Sequence, residues 1–401
     1  MSKIKVNRIE NTSTTDGGVS IDVDGHVTID GQQLPTAGPL GNRNLIINGA
    51  MQVAQRGAGP FTNASGGYQT VDRFKLSGTM GGNFTLEQAS DAPSGSGFNK
   101  SFKALAPTGF SSPTPTASAK IVTSIEGQNL QQLLKGSSSA LPVTLSFWVK
   151  SVVTGTYIFE LVDDDSNRSI STAYSVSASN TWEKKVITIA GDTSGVLDND
   201  ANSSFSLVWW IGAGSNFTSG TLSTSWASMV TANRAAGQVN AVASNNDAFY
   251  ITGVQLEVGS KATPFEHRSY GDELARCQRY LQLVNYNTGG GYAVNHWVFR
   301  DSAHYILDFK HKVEMRDGPT LVAIGSNGLT GLDNTKFALY NLNTGSSVQV
   351  SGSTGNWSIT QATTGRSTLR FTGTSLQGTT GNIAGCDTML ANTLIFATAE
   401  L

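Results

Sequence analysis

Three consecutive aspartates, Asp163-Asp164-Asp165, with Asn167 close behind, and the pair Asp198 and Asp200 are the densest oxygen donors in the chain. Calcium collects about six to eight oxygen ligands, so Asp163 to Asp165 with Asn167 is the first place to expect a structural calcium. Neither cluster has the spacing of an EF-hand loop, and a solvated loop is the plainer reading. Glycoside hydrolysis needs two well-placed carboxylates. Glu87, Glu126, Glu160, Asp163 and Glu257 are available, but 29 acidic residues supply such candidates without any design. Of the histidines, His296, His304 and His311 lie near one another in sequence. His304 and His311 are an odd number of residues apart and would face opposite ways on one strand. There is no His-x-x-His, Cys-x-x-Cys or Gly-x-Ser-x-Gly pattern. No catalytic residue, resident metal or cofactor is therefore assigned, and the expectation is a protein that is not an enzyme.

The aromatic residues say more. Trp148 and Trp210 each stand on the face of a strand opposite that strand's main apolar residues. Sugar rings stack on exposed aromatic faces, so these two are candidate receptor contacts, with Tyr292, Trp297 and Trp357 as further candidates nearer the C-terminus. The competing reading buries both faces of such strands, one in the core and one against a neighbouring subunit.

The elements that must carry these residues are almost all strands. Charged residues make up 14% of the 401 residues, against roughly 25% in an ordinary soluble domain. Glycine is abundant and polar turns recur throughout, the composition of an all-β chain. Period-two alternation is clear at Val143 to Lys150, Tyr157 to Leu161, Trp182 to Ile189, Phe205 to Ile211 and Phe249 to Val258. The stretch from Gly78 to Pro115, rich in Gly, Ser and Pro, reads as long loops. Residues 1–41 hold short strands, with a hairpin signal at Asp24-Gly25, and read as an N-terminal β-rich anchor or stalk ending in a linker. Residues 42–268 then form a large jelly-roll-like β-sandwich, 269–285 a short linking helix, and 286–401 a small C-terminal β-sandwich. The helix opens on Ser269 and Asp272 as a capping box. Leu274, Cys277, Leu281 and Val284 recur at coiled-coil spacing and predict a seam on a threefold axis.

A net charge of −2 without a basic run excludes the electrostatic footprint of nucleic-acid binding. No run of about 18 apolar residues predicts membrane insertion, and the N-terminus lacks the apolar region of a signal peptide. Two cysteines, Cys277 and Cys386, cannot make a disulfide framework, and Cys277 on the apolar seam reads as a buried thiol.

Several phrases resemble one family. Asn44-Leu-Ile-Ile-Asn-Gly-Ala-Met-Gln-Val-Ala-Gln-Arg-Gly57, Thr70-Val-Asp-Arg-Phe74, Thr252-Gly-Val-Gln-Leu-Glu-Val-Gly259, Ala262-Thr-Pro-Phe-Glu266 and Glu273-Leu-Ala-Arg-Cys-Gln-Arg-Tyr280 resemble receptor-binding tail-fibre proteins of tailed bacteriophages. Met315-Arg-Asp-Gly-Pro-Thr320 and Ala399-Glu-Leu401 extend the likeness into the last domain, so that it spans residues 42–401. The resemblance implies a homotrimer attached to other phage tail proteins through its N-terminal region, with a sandwich like those of carbohydrate-binding modules. It implies a virion protein, made in the host cytoplasm, that binds a host surface glycan or protein. Two other classes stand beside it: a purely structural adaptor of the tail, and a glycan depolymerase. Against the second, no repeat of β-helix period is present.

Overall fold

Alternation of apolar and polar residues becomes antiparallel strand pairing throughout the computed structural model, and the chain is all-β with few helices. The backbone is described for residues 8–10, 18–21, 27–29, 32–33, 41–64, 66–80, 84–286, 296–301, 304–325, 328–330, 338–341, 346–348, 356–363, 366–372, 383–387 and 394–401. Beyond Leu283, side chains are described for 310–319 and 397–401. Tyr292, the Asp24-Gly25 turn and the linker 34–40 lie outside the described residues, and Val284, Trp297 and Trp357 are described by backbone alone.

The chain divides into two units. One comprises Met1–Gln52, Phe74–Phe84 and Gln88–Arg268; the other comprises Val53–Arg73, Thr85–Glu87 and Ser269–Leu401. Arg268 ends the first unit, one residue before the linking helix expected from the sequence. Val53–Arg73 joins the C-terminal unit instead of the sandwich, a difference explained by the ion pairs that its arginines make with the end of the chain.

The first unit contains the sandwich. In one sheet Glu183–Ile189, Val143–Ser151, Asp247–Val258 and Ser101–Ala106 hydrogen-bond in that order. In the other the order is Ala227–Ser228, Arg168–Val176, Gly155–Asp163, Ser203–Ala213, Ser118–Glu126 and Lys75–Gly78. Successive strands cross repeatedly from one sheet to the other, which makes a two-layer core. Phe147 of the first sheet meets Tyr174 and Trp209 of the second edge-on, at 5.3 and 5.8 Å between ring centroids. Tyr157 and Phe249 meet across the layers at 5.7 Å. Burying each such side chain contributes about 2–3 kcal/mol by area. The Gly78 to Pro115 region departs from its loop reading, for it carries the strands Phe84–Ala89 and Ser101–Ala106. Strands Ser118–Glu126 and Arg168–Val176 were likewise hidden, because Ser and Thr occupy buried positions along them and blur the alternation. Near the N-terminus, Arg8–Glu10, Gly18–Ile21, Val27–Ile29 and Gln32–Gln33 form an antiparallel meander.

In the second unit Leu281–Tyr286, Leu394–Thr398, Thr320–Gly325 and Gly328–Thr330 form a four-stranded sheet. A seven-stranded sheet runs Ser346–Val348, Ala338–Asn341, Ile383–Asp387, His296–Asp301, His304–Lys310, Arg366–Thr372, Asn356–Thr363. The helix starts as expected: Ser269 Oγ accepts from the Asp272 amide at 3.2 Å and donates to the Asp272 carboxylate at 2.7 Å. It then stops early. Tyr270–Gln278 is helical, the Tyr280 amide bonds back to the Cys277 carbonyl at 2.9 Å, and Leu281–Tyr286 is a strand. The helix expected over 269–285 is therefore half helix and half strand. Leu274 and Cys277 lie on the helix, whereas Leu281 and Val284 lie on the strand, so the four do not share one helical face. Pairing of Leu281 with Thr398 wins over continuing the helix, which at about 13 residues is marginal alone. Cys277 is a buried thiol, as expected, and burial pushes it well above its ordinary pKa.

Candidate functional site: an aromatic and cationic platform

Leu145, Phe147 and Val149 are fully buried in the core. The pleat sends Trp148 and Lys150 the other way, onto the outer face of the sheet. Phe249 and Ile251 do the same for Tyr250 and Thr252, and Phe102 and Ala104 for Lys103. Register then aligns them. Lys150 stands opposite Tyr250, Tyr250 opposite Lys103, and Trp148 between Thr252 and Lys184. Four strands, none adjacent in sequence to the others, thus deliver one row of rings and ammonium groups.

Trp182, immediately ahead of Glu183–Ile189, completes the row. Its ring meets Tyr250 edge-on at 6.2 Å. The Lys150 ammonium lies 4.3 Å from the Tyr250 centroid and 5.5 Å from that of Trp182, while Lys103 approaches Tyr250 at 5.7 Å. Asp91 ties the group together: its Oδ1 accepts from Trp182 Nε1 at 2.9 Å and its Oδ2 from Lys150 Nζ. Burial raises the Asp91 pKa, but the bonds from Lys150 and Trp182 outweigh that and hold it below the ordinary carboxylate value. Trp148, Trp182 and Tyr250 are each half-buried, with their inner edges packed and the remainder open to solvent.

The other end of the row is bounded by Phe98. Gly253 has φ of +61°, and a Cβ there would sit 2.7 Å from the Phe98 ring and 3.0 Å from Trp148, so only glycine allows both rings to lie this close. Phe98 in turn packs on Phe265 at 4.9 Å and on His267 at 5.4 Å. Phe265 and His267 are placed by the chain after Val258, which folds back over its own strand. The Thr263 amide and hydroxyl donate to Glu257 at 2.8 and 2.6 Å, and the Glu266 amide donates to Gln255 Oε1 at 2.8 Å. Asn44 locks the same strand, accepting from the Leu256 amide at 3.1 Å and donating to the Val254 carbonyl at 3.1 Å. One end of the sheet face is thereby sealed with satisfied polar groups, and the platform is the end left open.

Trp210 is corrected. It is fully buried, because residues 214–240 of its own chain fold over it. Its Nε1 donates to Glu160 at 3.1 Å, Arg234 forks onto the same carboxylate at 2.8 and 3.0 Å, and Phe217 packs at 5.2 Å. Burial and the neighbouring Arg234 lower Lys120, 4.9 Å from the Trp210 ring, to about 8. No sugar can reach this ring. Of the two candidate tryptophans whose side chains are described, Trp148 is accessible and Trp210 is not, whereas Trp182 and Tyr250 were missed. The missing signal was pairing: nothing local says that the neighbours of Tyr250 are Lys150 and Lys103.

The carboxylates weighed for hydrolysis are mostly engaged. Glu126 accepts from Gln128, Glu160 from Arg234 and Trp210, and Glu257 from Thr263 and Gln255, while Glu87 is half-buried on Phe84–Ala89. The three aspartates also diverge. Asp163 takes Lys135 at 2.5 Å and the amides of Asp165 and Ser166, Asp164 takes Ser203 and Ser206, and Asp165 takes the Asp198 amide. A lysine ammonium thus sits where the first calcium ligand was expected to point. Among the described residues no group of three or more His, Cys, Asp or Glu side chains gathers to hold a metal.

No protein-family model matches the chain, and no curated protein does. Among solved structures, the carbohydrate-binding module TmCBM61 bound to β-1,4-galactotriose is similar over 54% of this chain and 99% of its own, at 12% identity and a TM-score of 0.28. The family 11 carbohydrate-binding module of Clostridium thermocellum Lic26A-Cel5E is similar over 53% of this chain and 98% of its own, at 14% identity and a TM-score of 0.26. The enzymatically active domain of tailspike protein 4 from Bacteriophage CBA120 is similar over 54% of this chain, at 16% identity and a TM-score of 0.29; the chain spans 21% of its length.

Proposed function

We propose that this chain is a trimeric, non-enzymatic tail fibre of a bacteriophage, which adsorbs to its host by holding a surface glycan on the Trp148–Trp182–Tyr250 platform. The observation that carries the reading is the register-built row of half-buried rings on an open sheet face. A packed edge fixes each ring, so stacking a sugar costs little side-chain entropy. The tail-fibre phrases in the sequence supply the biological setting. In that setting the N-terminal strands attach the fibre to other tail proteins, and Tyr292, Trp297 and Trp357 are further receptor contacts of the C-terminal domain.

A single sugar site of about millimolar affinity is worth roughly −4 kcal/mol. Three linked copies, and several fibres on one particle, gain by effective concentration without any new contact. Weak sites then hold firmly. The engaged state of Glu126, Glu160 and Glu257 favours binding over hydrolysis as the work of this sandwich.

The test is adsorption of the purified full chain to susceptible cells, with sedimentation to establish the trimer. Wild-type protein binds and blocks infection, and the Trp182→Ala and Tyr250→Ala variants lose about tenfold or more, one decade being about 1.4 kcal/mol. A well-formed trimer that binds no susceptible cell, or platform variants that bind as wild type does, defeats the reading.

A further inference from the structure

We infer that the ligand of the platform is an acidic oligosaccharide, one whose sugar rings carry carboxylates; this rests on the glycan reading above and narrows it. The chain as a whole is slightly acidic, at −2. The platform departs from that balance. Lys103 and Lys150 approach the Tyr250 ring, Lys184 stands opposite Trp148 in the ladder, and Asp91 is a carboxylate tied into the same group.

Asp91 displays how this surface receives a carboxylate. One oxygen takes the Trp182 indole N–H and the other the Lys150 ammonium, a charge-assisted pair of bonds at the rim of an aromatic shelf. The Asp91 side chain is 44% exposed, so this geometry operates at the solvent boundary where a ligand would arrive. A uronate sugar presents an apolar ring face beside a carboxylate, and Trp148 with Lys184 opposite it in the ladder offers a ring and an ammonium on neighbouring strands. Lys184 is exposed and stands directly opposite Trp148 in the ladder. A ring lying on Trp148 therefore brings its carboxylate within reach of the Lys184 ammonium. Two ammonium groups, those of Lys103 and Lys150, also share the Tyr250 ring. Their mutual repulsion favours an added anion over a neutral hydroxyl.

The experiment titrates the full-length protein, by tryptophan fluorescence and calorimetry, with oligomers of galacturonate, glucuronate and mannuronate. Each is paired with its methyl ester, which keeps the sugar and removes the charge. The expected result is that at least one free acid binds about tenfold more tightly than its ester in low salt, with the advantage shrinking as salt screens exposed charges. Lys184→Glu, a substitution at an exposed position, abolishes that advantage. Asp91→Asn raises affinity for the acid. Esters that bind as well as or better than every acid, with Lys184→Glu neutral, overturn the acidic preference while leaving the glycan platform standing. Failure of every acid and every ester, in a protein that still adsorbs to cells after Trp182→Ala, removes the platform itself.

Discussion

Glu400 accepts a hydrogen bond from the Arg73 guanidinium at 2.6 Å, although 327 positions separate the two residues in the chain. Arg56 takes the other carboxylate oxygen at 2.9 Å, Arg73 also lies 3.5 Å above the Tyr280 ring, and Tyr68 donates to the Leu401 carbonyl at 2.8 Å. The side chains of both arginines are 1% exposed. The last residues of the chain thus neutralise two buried cations of the segment 53–73. Arg73 holds a φ of +71°, a conformation that a non-glycine residue keeps only where its surroundings enforce it.

Removing one partner of a buried ion pair costs about 3–5 kcal/mol, because the other charge is left uncompensated. Glu400→Ala takes the carboxylate from Arg73 and leaves Arg56 with Asp72 at 3.6 Å, so it is expected to lose about that much stability in the C-terminal unit, with Glu400→Gln intermediate. Thermal unfolding and limited proteolysis measure it. A Glu400→Ala protein that melts with the wild type would mean that water already reaches these arginines.

Asp72, beside Arg56, gives this unit a pH dependence. Burial outweighs the Arg56 guanidinium and pushes Asp72 up to about 6 from its ordinary 3.8. The folded state therefore binds this proton more tightly than the unfolded chain does. Its contribution is fully present below pH 3.8 and is lost as pH rises through about 6. Glu400 acts in the opposite sense: burial raises it, but Arg56 and Arg73 outweigh burial and hold it low, so its contribution is lost as pH falls below its ordinary 4.5. Asp72→Asn should remove the decline between about pH 4 and 6, read from chemical denaturation at a series of pH values. An unchanged slope would place the titration elsewhere.

Trp210 and Trp182 should separate stability from binding. Trp210→Ala empties a fully buried site and is expected to cost about 3–5 kcal/mol, with unchanged glycan affinity per folded molecule. Trp182→Ala should do the reverse. Denaturation midpoints and binding isotherms on the same preparations decide it, and a binding defect confined to the Trp210 variant would move the site to the other sheet.

Leu281 is a buried strand residue whose carbonyl accepts from Gln55 at 2.8 Å. A Leu281→Asp substitution buries an unpaired charge and should cost about 4 kcal/mol or more in the C-terminal unit. If packing within the unit is what matters, the loss is independent of protein concentration. A strongly concentration-dependent loss would instead put Leu281 at a subunit contact.

The sequence by itself determined the class of this protein and much of its local structure. Period-two alternation located Val143–Ser151, Gly155–Asp163, Ser203–Ala213 and Asp247–Val258, and the Ser269 cap marked where the helix begins. Those features are local, set by side chains two to four positions apart, and a sequence records them directly. Which strand lies beside which is decided by pairing across tens or hundreds of residues, and it leaves no such record. The spacing from Leu274 to Val284 suits one long helix as well as a helix followed by a strand; the distant partner Leu394–Thr398 chose the second. Alternation placed both Trp148 and Trp210 outward, yet a face can be open or covered. Residues 214–240 cover Trp210, while the register of four separate strands sets Trp148 beside Tyr250 and the lysines and leaves that face open. Local periodicity dictates the direction in which a side chain leaves its strand; only the tertiary structure decides what it meets there.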